Sequence, residues 1–199
     1  MLTPRPYLSF SQMTLFEMSP QRYAEQYIYD QKQRETRNMA YGSKMADGLE
    51  RDELSGDSAL DLMMVRIPKF ELMDKPLEVD LKDGKGFIRI LAKPDTSKAD
   101  YTAFKEYKTS TRKWTQKMAD DSGQITFYAT AMWLKTGKIP QDIELVNVPV
   151  EYGENGALMP TGELIRLPTK RDMVAIIKMC ARMRKAWHGI KELCEKELL

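Results

Sequence analysis

The hydrophobic period of the chain changes near residue 77, and that change constrains the fold more than any other feature. Before it, apolar residues recur at helical steps: Met13 and Phe16, Tyr23 and Tyr27, Met45 and Leu49. After it, Leu77, Val79 and Leu81 alternate with polar residues, the pattern of a strand with one buried face. Residues 82–86 (Lys-Asp-Gly-Lys-Gly) then read as a turn, because Asp-Gly between two apolar runs is the strongest short hairpin signal. Phe87 to Leu91 is the return strand. A chain in this order cannot be a helical bundle. It must place an antiparallel hairpin in a sheet and cover that sheet with helices.

The remaining segments fit this plan. Ser11 is the expected N-cap of a first helix, and Pro20 divides it from a second, polar helix over Gln21–Arg37. Further helices are expected over Gly42–Glu53 and Ala59–Val65, the latter stopped before Pro68. Met13 and Met18 are expected in the core. Tyr101–Lys108 is a third strand. A helix over Trp114–Leu134 is interrupted at Asp121–Gly123 and ended by Gly137. Ile143–Tyr152 is a fourth strand, Gly153–Gly156 a turn, and Leu164–Leu167 a fifth strand. Thr169 with Asp172 forms the cap signature of the last helix. Its apolar stripe is Met173, Ile176, Ile177, Cys180, Met183, Trp187, Ile190 and Cys194. The expected fold is α/β, a mixed four- to five-stranded sheet flanked by helices. It forms one domain over residues 1–199, with a helical part at 1–68 and an α/β core with its C-terminal helix at 69–199.

Composition then narrows the chemistry. The 199 residues hold one histidine, His188, and two cysteines, Cys180 and Cys194. Two cysteines cannot build a Cys₄ zinc site or an iron–sulfur cluster. On one helix these two cannot pair with each other, which fits a reducing, intracellular setting. One histidine removes zinc metalloproteases, and His188 is expected at the surface. No phosphate-binding glycine loop and no nucleophile elbow is present. No apolar run reaches the ~18 residues of a membrane span. Lys and Arg number 31 against 29 Asp and Glu, a net charge of +2, so any basic surface must be local and offset elsewhere. Chemistry rests on carboxylates, lysines and a hard metal.

The stretch that supplies these is Lys93-Pro94-Asp95 followed by Phe104-Lys105-Glu106-Tyr107-Lys108-Thr109-Ser110. Glu106 and Lys108 are two apart on a strand, so both side chains leave one face. Asp95 ends the preceding strand and is expected beside Glu106. Two carboxylates and a lysine then converge. Mg²⁺ or Mn²⁺ takes oxygen ligands, lowers the pKa of bound water and neutralises charge on phosphorus. Lys105, Lys108, Arg112, Lys113 and Lys117 also form a basic strip with only Glu106 among them, interleaved with Tyr107 and Trp114. Such a strip suits a phosphate backbone and stacked bases. An acidic tract of Asp47, Glu50, Asp52, Glu53, Asp57 and Asp61 balances it.

Pro94-Asp95 with Glu106-x-Lys108 resembles the core signature of the PD-(D/E)xK nucleases. Three further segments resemble the RecB-like branch of that superfamily in order and spacing. Gln124-x-x-x-Tyr128 is similar to its Q-x-x-x-Y motif. Ser9-x-Ser11, Phe16, Ser19-Pro20, Tyr23 and Tyr27 are similar to its S-x-S…F-x-x-C-P-x-x-Y-x-x-x-Y pattern. Gly42-Ser43 through Leu49-Glu50 is similar to its G-S-x-x-H-x-x-L-E helix. The resemblance runs from Ser9 to Tyr128. Two positions depart from it. Ala46 stands where the branch has a histidine, so one expected metal ligand is missing. Ser19 stands where cluster-bearing members have a cysteine, so no iron–sulfur cluster is expected.

The resemblance implies a restriction-endonuclease-like core and a Mg²⁺- or Mn²⁺-dependent deoxyribonuclease that hydrolyses phosphodiesters by metal-activated water. It implies exonuclease use in recombination or repair, and a stand-alone form suited to a phage or mobile element. By it, Asp95, Glu106 and the carbonyl of Tyr107 ligate metal, with Glu50 as accessory acid. Lys108 is the catalytic lysine, and Gln124 and Tyr128 shape the site. Lys105, Arg112, Lys113, Trp114 and Lys117 are the expected nucleic-acid contacts. The implied partner is DNA, double- or single-stranded, with a helicase or recombination protein as a further one and no membrane. The alternatives are a catalytically weak DNA-binding subunit of the same fold, which the loss at Ala46 motivates, and a restriction-type endonuclease.

Overall fold

A computed structural model describes residues 3–31, 36–154 and 156–198. The chain opens with a two-residue strand β1 (Leu8–Ser9), helix α1 (Phe10–Met18) and helix α2 (Pro20–Tyr23), which runs on as a π-helical turn over Ala24–Ile28. Helices α3 (Arg37–Arg51) and α4 (Ser58–Met64) follow. Then come β2 (Leu72–Met73), β3 (Leu77–Asp83), β4 (Gly86–Ala92), β5 (Thr96–Ser97) and β6 (Ala103–Ser110). Helices α5 (Gln116–Asp120) and α6 (Gly123–Thr136) cross over to β7 (Asp142–Tyr152). The chain ends with β8 (Leu158–Pro160), β9 (Ile165–Thr169) and α7 (Met173–Leu198). Among the described residues, no helix is long and apolar enough to cross a membrane.

The strands form two mixed sheets. β3 and β4 make the expected hairpin from Leu77↔Ala92 to Asp83↔Gly86, with Gly84 at φ +59° in the turn. A positive φ at the first central position is what a two-residue hairpin turn requires. β1 adds to β4 in parallel. The larger sheet has the order β2-β5-β6-β7-β8, with β9 also on β7. The parallel pair β6 and β7 is its centre, from Ala103↔Asp142 to Ser110↔Pro149. The expected four or five strands are all present. The additional ones are the two-residue strands β1, β2 and β5 and the three-residue β8, too short to show a hydrophobic period.

Helices cover both faces of the larger sheet. On one, Phe104, Ile143 and Leu145 pack with α6 and α7 in the larger core. On the other, Tyr107, Val146 and Val148 pack with α3 and α4 around Met45, Leu49, Leu60 and Met64. α7 approaches α1 closely. A Cβ on Gly189 would lie 2.6 and 2.8 Å from ring carbons of Phe16. Overpacking of this kind costs about 1–3 kcal/mol. Gly189→Ala should therefore lower the melting temperature by several degrees, roughly 2–4 °C per kcal/mol, as read by differential scanning calorimetry.

Several local expectations need correction. The N-cap of α1 is Ser9, whose Oγ accepts from the Gln12 amide at 3.3 Å, and not Ser11. The chain leaves β1 at Ser9, so that residue meets the first free amides. Asp172 caps α7 by accepting from the Ala175 amide at 2.7 Å, while Thr169 is the last residue of β9. The helix expected over Gln21–Arg37 ends near Tyr29, and residues 32–35 lie outside the described residues, as does Asn155 of the expected turn. Met18 is 76% exposed rather than in the core. Ile177 is also exposed, so the α7 stripe is narrower than its sequence suggests.

Candidate active site

β6 carries Glu106 and Lys108 on one face, and the alternation of the strand alone brings them together. Lys108 Nζ lies 2.7 Å from Glu106 Oε1. The same Nζ donates to Gln124 Oε1 at 2.8 Å, and Gln124 Nε2 donates to the Tyr128 hydroxyl at 3.0 Å. Gln124 and Tyr128 reach this point because they stand one turn apart on α6, which packs across that face of the sheet. The result is a hydrogen-bonded chain from Tyr128 to Glu106 with Lys108 inside it.

Asp95 enters from the edge. β5 pairs with β6 at only two positions, Thr96↔Lys105 and Ser97↔Phe104. Beyond them the Tyr107 amide donates to Asp95 Oδ2 at 2.5 Å. A side chain thus continues the hydrogen bonding where strand β5 stops. Asp74, held at φ 49°, donates its amide to the Asp95 carbonyl at 2.9 Å. Its carboxylate pairs with Lys93.

The electrostatics of this group are unbalanced. Burial, then the adjacent Glu106, pushes the Asp95 carboxyl well above the usual carboxylate range, against the Tyr107 amide and Lys108. Burial works against the Lys108 charge, but Glu106 and Asp95 outweigh it and hold the ammonium above its ordinary value. Burial and the charge of Glu106 also raise the Tyr128 phenol. Glu106 is 3% exposed, and among the described residues its Oε2 has no hydrogen-bond partner. A buried carboxylate oxygen without a donor is costly. It marks a place where a cation or a donor belongs.

Asp95, Glu106, Tyr107 and Lys108 line a cleft of about 400 Å³ with Gly42, Ser43 and Ala46 of α3. α3 comes close because Gly42 has no side chain. A Cβ there would lie 3.1 Å from Thr109 Oγ1. Ala46, where the sequence resemblance expects a histidine, lines this cleft with a methyl group. Glu50 lies one turn further along α3, exposed and outside the cleft lining. Among the described residues, no three His, Cys, Asp or Glu side chains group closely enough to hold a metal. The structure therefore brings together Asp95, Glu106, Tyr107, Lys108, Gln124 and Tyr128, and leaves Glu50 apart.

The basic strip divides. Lys105 is 5% exposed and pairs with Glu144 at 2.7 Å, its ammonium 4.5 Å from the Phe70 ring centre. It leaves β6 on the face opposite Glu106, so its expected contact with nucleic acid is corrected to an internal ion pair. Lys113 pairs with Glu163 and Lys117 with Asp121, both at the surface. Arg112 is exposed, and the half-buried Trp114 ring packs on the larger core.

Three contributors carry no signature in the sequence analysis: Asn147, Arg5 and Gln12. Asn147 is fully buried opposite Lys108 in the β6–β7 register. Its Nδ2 donates to the Lys108 carbonyl and to Ser110 Oγ, and its Oδ1 accepts from the Trp114 amide. It ties both ends of the loop that carries Arg112 and Lys113. Asn147→Leu leaves those backbone groups unpaired, at about 1–3 kcal/mol each. The expected result is a lower melting temperature and faster proteolysis within residues 110–115. A second cleft, of about 490 Å³, is lined by Gln124 and Tyr128 with Arg5, Ser9, Ser11, Gln12 and Lys93, and the Lys108–Gln124 hydrogen bond connects it to the first. Gln12 is 2% exposed, and among the described residues its Oε1 has no partner. An asparagine in a strand and a glutamine in a helix look ordinary in sequence, and only the fold brings them to the site.

No protein-family model and no curated protein matches this chain. Solved structures do. A candidate exonuclease from Eubacterium rectale superposes with a TM-score of 0.60 at 12% identity, over 96% of this chain and 82% of that one. The alkaline exonuclease LHK-Exo from Laribacter hongkongensis superposes with a TM-score of 0.52 at 14% identity, over 96% of this chain and 91% of its own. Its complex with dAMP gives 0.50 at 13% identity, over 98% and 95%. At these identities the likeness is one of fold, a mixed α/β core of restriction-endonuclease type.

Proposed function

We propose that this protein is a divalent-metal-dependent DNA nuclease acting as an exonuclease, with Asp95 and Glu106 as its metal-holding acids and Lys108 as its catalytic lysine. One observation carries the reading. Two buried carboxylates share a cleft, one pushed toward its neutral form and the other with an orphaned oxygen. Mg²⁺ or Mn²⁺ fits that need, since both prefer oxygen donors and one or two carboxylates with water and phosphate completing the shell. Asp95 and Glu106 would hold the ion, with the Tyr107 carbonyl as a further donor. Bound there, the ion supplies activated water and neutralises charge on phosphorus.

The chain's own residues do the rest. Glu106 Oε1 and Gln124 Oε1 fix Lys108 Nζ from two sides. The ammonium is aimed at the cleft, where it orients the attacking water or donates to a phosphoryl oxygen as charge develops. Tyr128 holds Gln124 in the orientation that presents its oxygen to Lys108. Arg5, Lys93, Ser9 and Ser11 supply donors for a phosphate in the adjoining cleft. Arg112 extends the basic rim. The fold likeness to the alkaline exonuclease supports DNA as substrate and the exonuclease form, and it is compatible with a role in recombination or repair.

A second reading rests on Ala46 and on Glu50 lying outside the cleft. With two acids and no third ligand side chain, the chain would bind DNA without cutting it. Labelled linear, closed circular and single-stranded DNA, each incubated with Mn²⁺, Mg²⁺ or chelator, separates the two. Degradation of linear DNA that needs metal and spares closed circles supports the exonuclease. Binding without cleavage under every metal condition refutes it in favour of the binding subunit.

A further inference from the structure

The place of Gln124 depends on residues outside both clefts. Gln124 is the second residue of α6, two after Ser122, the cap of that helix. The cap bond is long, with Ser122 Oγ accepting from the Ile125 amide at 3.4 Å. A bond of that length holds the first turn weakly, and the turn needs a second support if Gln124 is to stand still.

Arg171, in the link between β9 and α7, supplies it. Its Nε donates to Thr126 Oγ1 at 2.7 Å, and its Nη2 donates to the carbonyls of Ala119 and Ser122 at 2.9 and 3.1 Å. Thr126 Oγ1 in turn donates to the Ser122 carbonyl at 3.0 Å. These bonds tie the end of α5, the cap and the first turn of α6 to one planar group. The remaining two N–H groups, on Nη1, go to Thr169 Oγ1 at 2.8 Å and the Lys170 carbonyl at 2.7 Å. All five guanidinium donors are thus engaged, and none is left for a phosphate. The anchor is itself fixed, because Thr169 Oγ1 donates to Asp120 at 2.7 Å and Gln116 Nε2 to the Pro168 carbonyl at 2.7 Å. A lysine has three donors on a flexible stem and cannot span the same groups.

We propose that Arg171 is a positioning residue for cleavage: it fixes the first turn of α6 so that Gln124 Oε1 meets Lys108 Nζ at 2.8 Å. Arg171 lines neither cleft and acts only through Gln124. Its effect on rate rests on the nuclease reading, whereas its effect on Gln124 does not.

The test combines kinetics with nuclear magnetic resonance on the full chain. Arg171→Lys keeps the charge, and Thr126→Val removes only the acceptor of Arg171 Nε. Circular-dichroism melts confirm that each variant is folded. Arg171→Lys should lower kcat by about tenfold to 10²-fold, the scale set by a misplacement of roughly 1 Å. KM and Mn²⁺ affinity should hold, and Thr126→Val should give a smaller loss of the same kind. In a Gln124→Ala background Arg171→Lys should cost nothing further, since the group it positions is gone. A role in stability alone would lower the melting temperature equally in both backgrounds and leave kcat unchanged. The Gln124 side-chain amide signal, assigned by its loss in Gln124→Ala, should exchange slowly in the wild-type chain and move to the position of a free glutamine in Arg171→Lys. An unmoved Gln124 signal in both folded variants, or rate losses that multiply independently, would overturn the proposal. A wild-type chain that cuts no DNA would refute the nuclease reading, and the Gln124 signal would still decide whether Arg171 orients that side chain.

Discussion

Lys108→Ala should reduce metal-dependent DNA cleavage by about 10²–10⁴-fold, the range for removing one proton-transfer or charge-stabilising group. The loss should fall on kcat, with Mn²⁺ binding retained, because in the proposed mechanism Lys108 serves the reacting phosphate and not the ion. Gln124→Ala should give a smaller loss of the same kind, since it acts only by holding Lys108 Nζ at 2.8 Å. Single-turnover kinetics on end-labelled duplex reads both. Equal losses of cleavage and of Mn²⁺ affinity in Lys108→Ala would show that the lysine only balances the charge of the two acids.

The largest expected effect on stability lies on the opposite face of β6. Glu144 accepts from Lys105 at 2.7 Å and from Arg166 at 2.6 and 3.0 Å, and Lys105 and Glu144 are each 5% exposed. Burial opposes the Glu144 charge, but the bonds from Arg166 and Lys105 outweigh it and hold the carboxyl below its ordinary value. Glu144→Ala leaves the Lys105 ammonium buried without a counter-charge, at about 3–5 kcal/mol. At roughly 2–4 °C per kcal/mol, the melting temperature should fall by about 10 °C. Lys105→Met combined with Glu144→Ala should recover much of that fall, because the double variant buries no unpaired charge. Thermal melts of the single and double variants give the answer. A double variant no more stable than the single would mean that the destabilisation comes from lost packing and not from the stranded lysine.

These two effects mark where the sequence is legible and where it is not. Glu106 with Lys108, and Gln124 with Tyr128, are pairs whose geometry follows from strand or helix periodicity, so their approach could be read from spacing. The β3–β4 hairpin was legible for the same reason, with Gly84 opening the two-residue turn after Asp83. Lys105 was not. It stands in a basic strip by sequence, yet the alternation that sends Glu106 to the cleft sends Lys105 the other way, and its partners are Glu144 of β7 and the Phe70 ring. Glu163 likewise reaches Lys113 from a distant loop. A local count of charges misses acids that only the fold brings back. The choice of Ser9 over Ser11 as the cap of α1 turned on β1 pairing with β4, which two residues cannot announce. Ala46 shows the reverse case, since its place in the cleft was visible from the motif it interrupts.

The claim that Asp95 and Glu106 form a metal site is tested most directly by titrating Mn²⁺ into the metal-free protein by calorimetry at several pH values. Asp95 holds its proton above the usual carboxylate range, so metal must displace that proton. Affinity should rise with pH up to the raised pKa and then level, with proton release visible on changing the buffer. Without metal, the same upward shift means that stability present below the unfolded aspartate value, about 3.9, is lost as pH climbs through the folded one. Added Mn²⁺ should restore it. The expected result is saturable binding by the wild-type chain that Glu106→Gln abolishes. No saturable binding at any pH, or an unchanged isotherm in Glu106→Gln, would contradict the account.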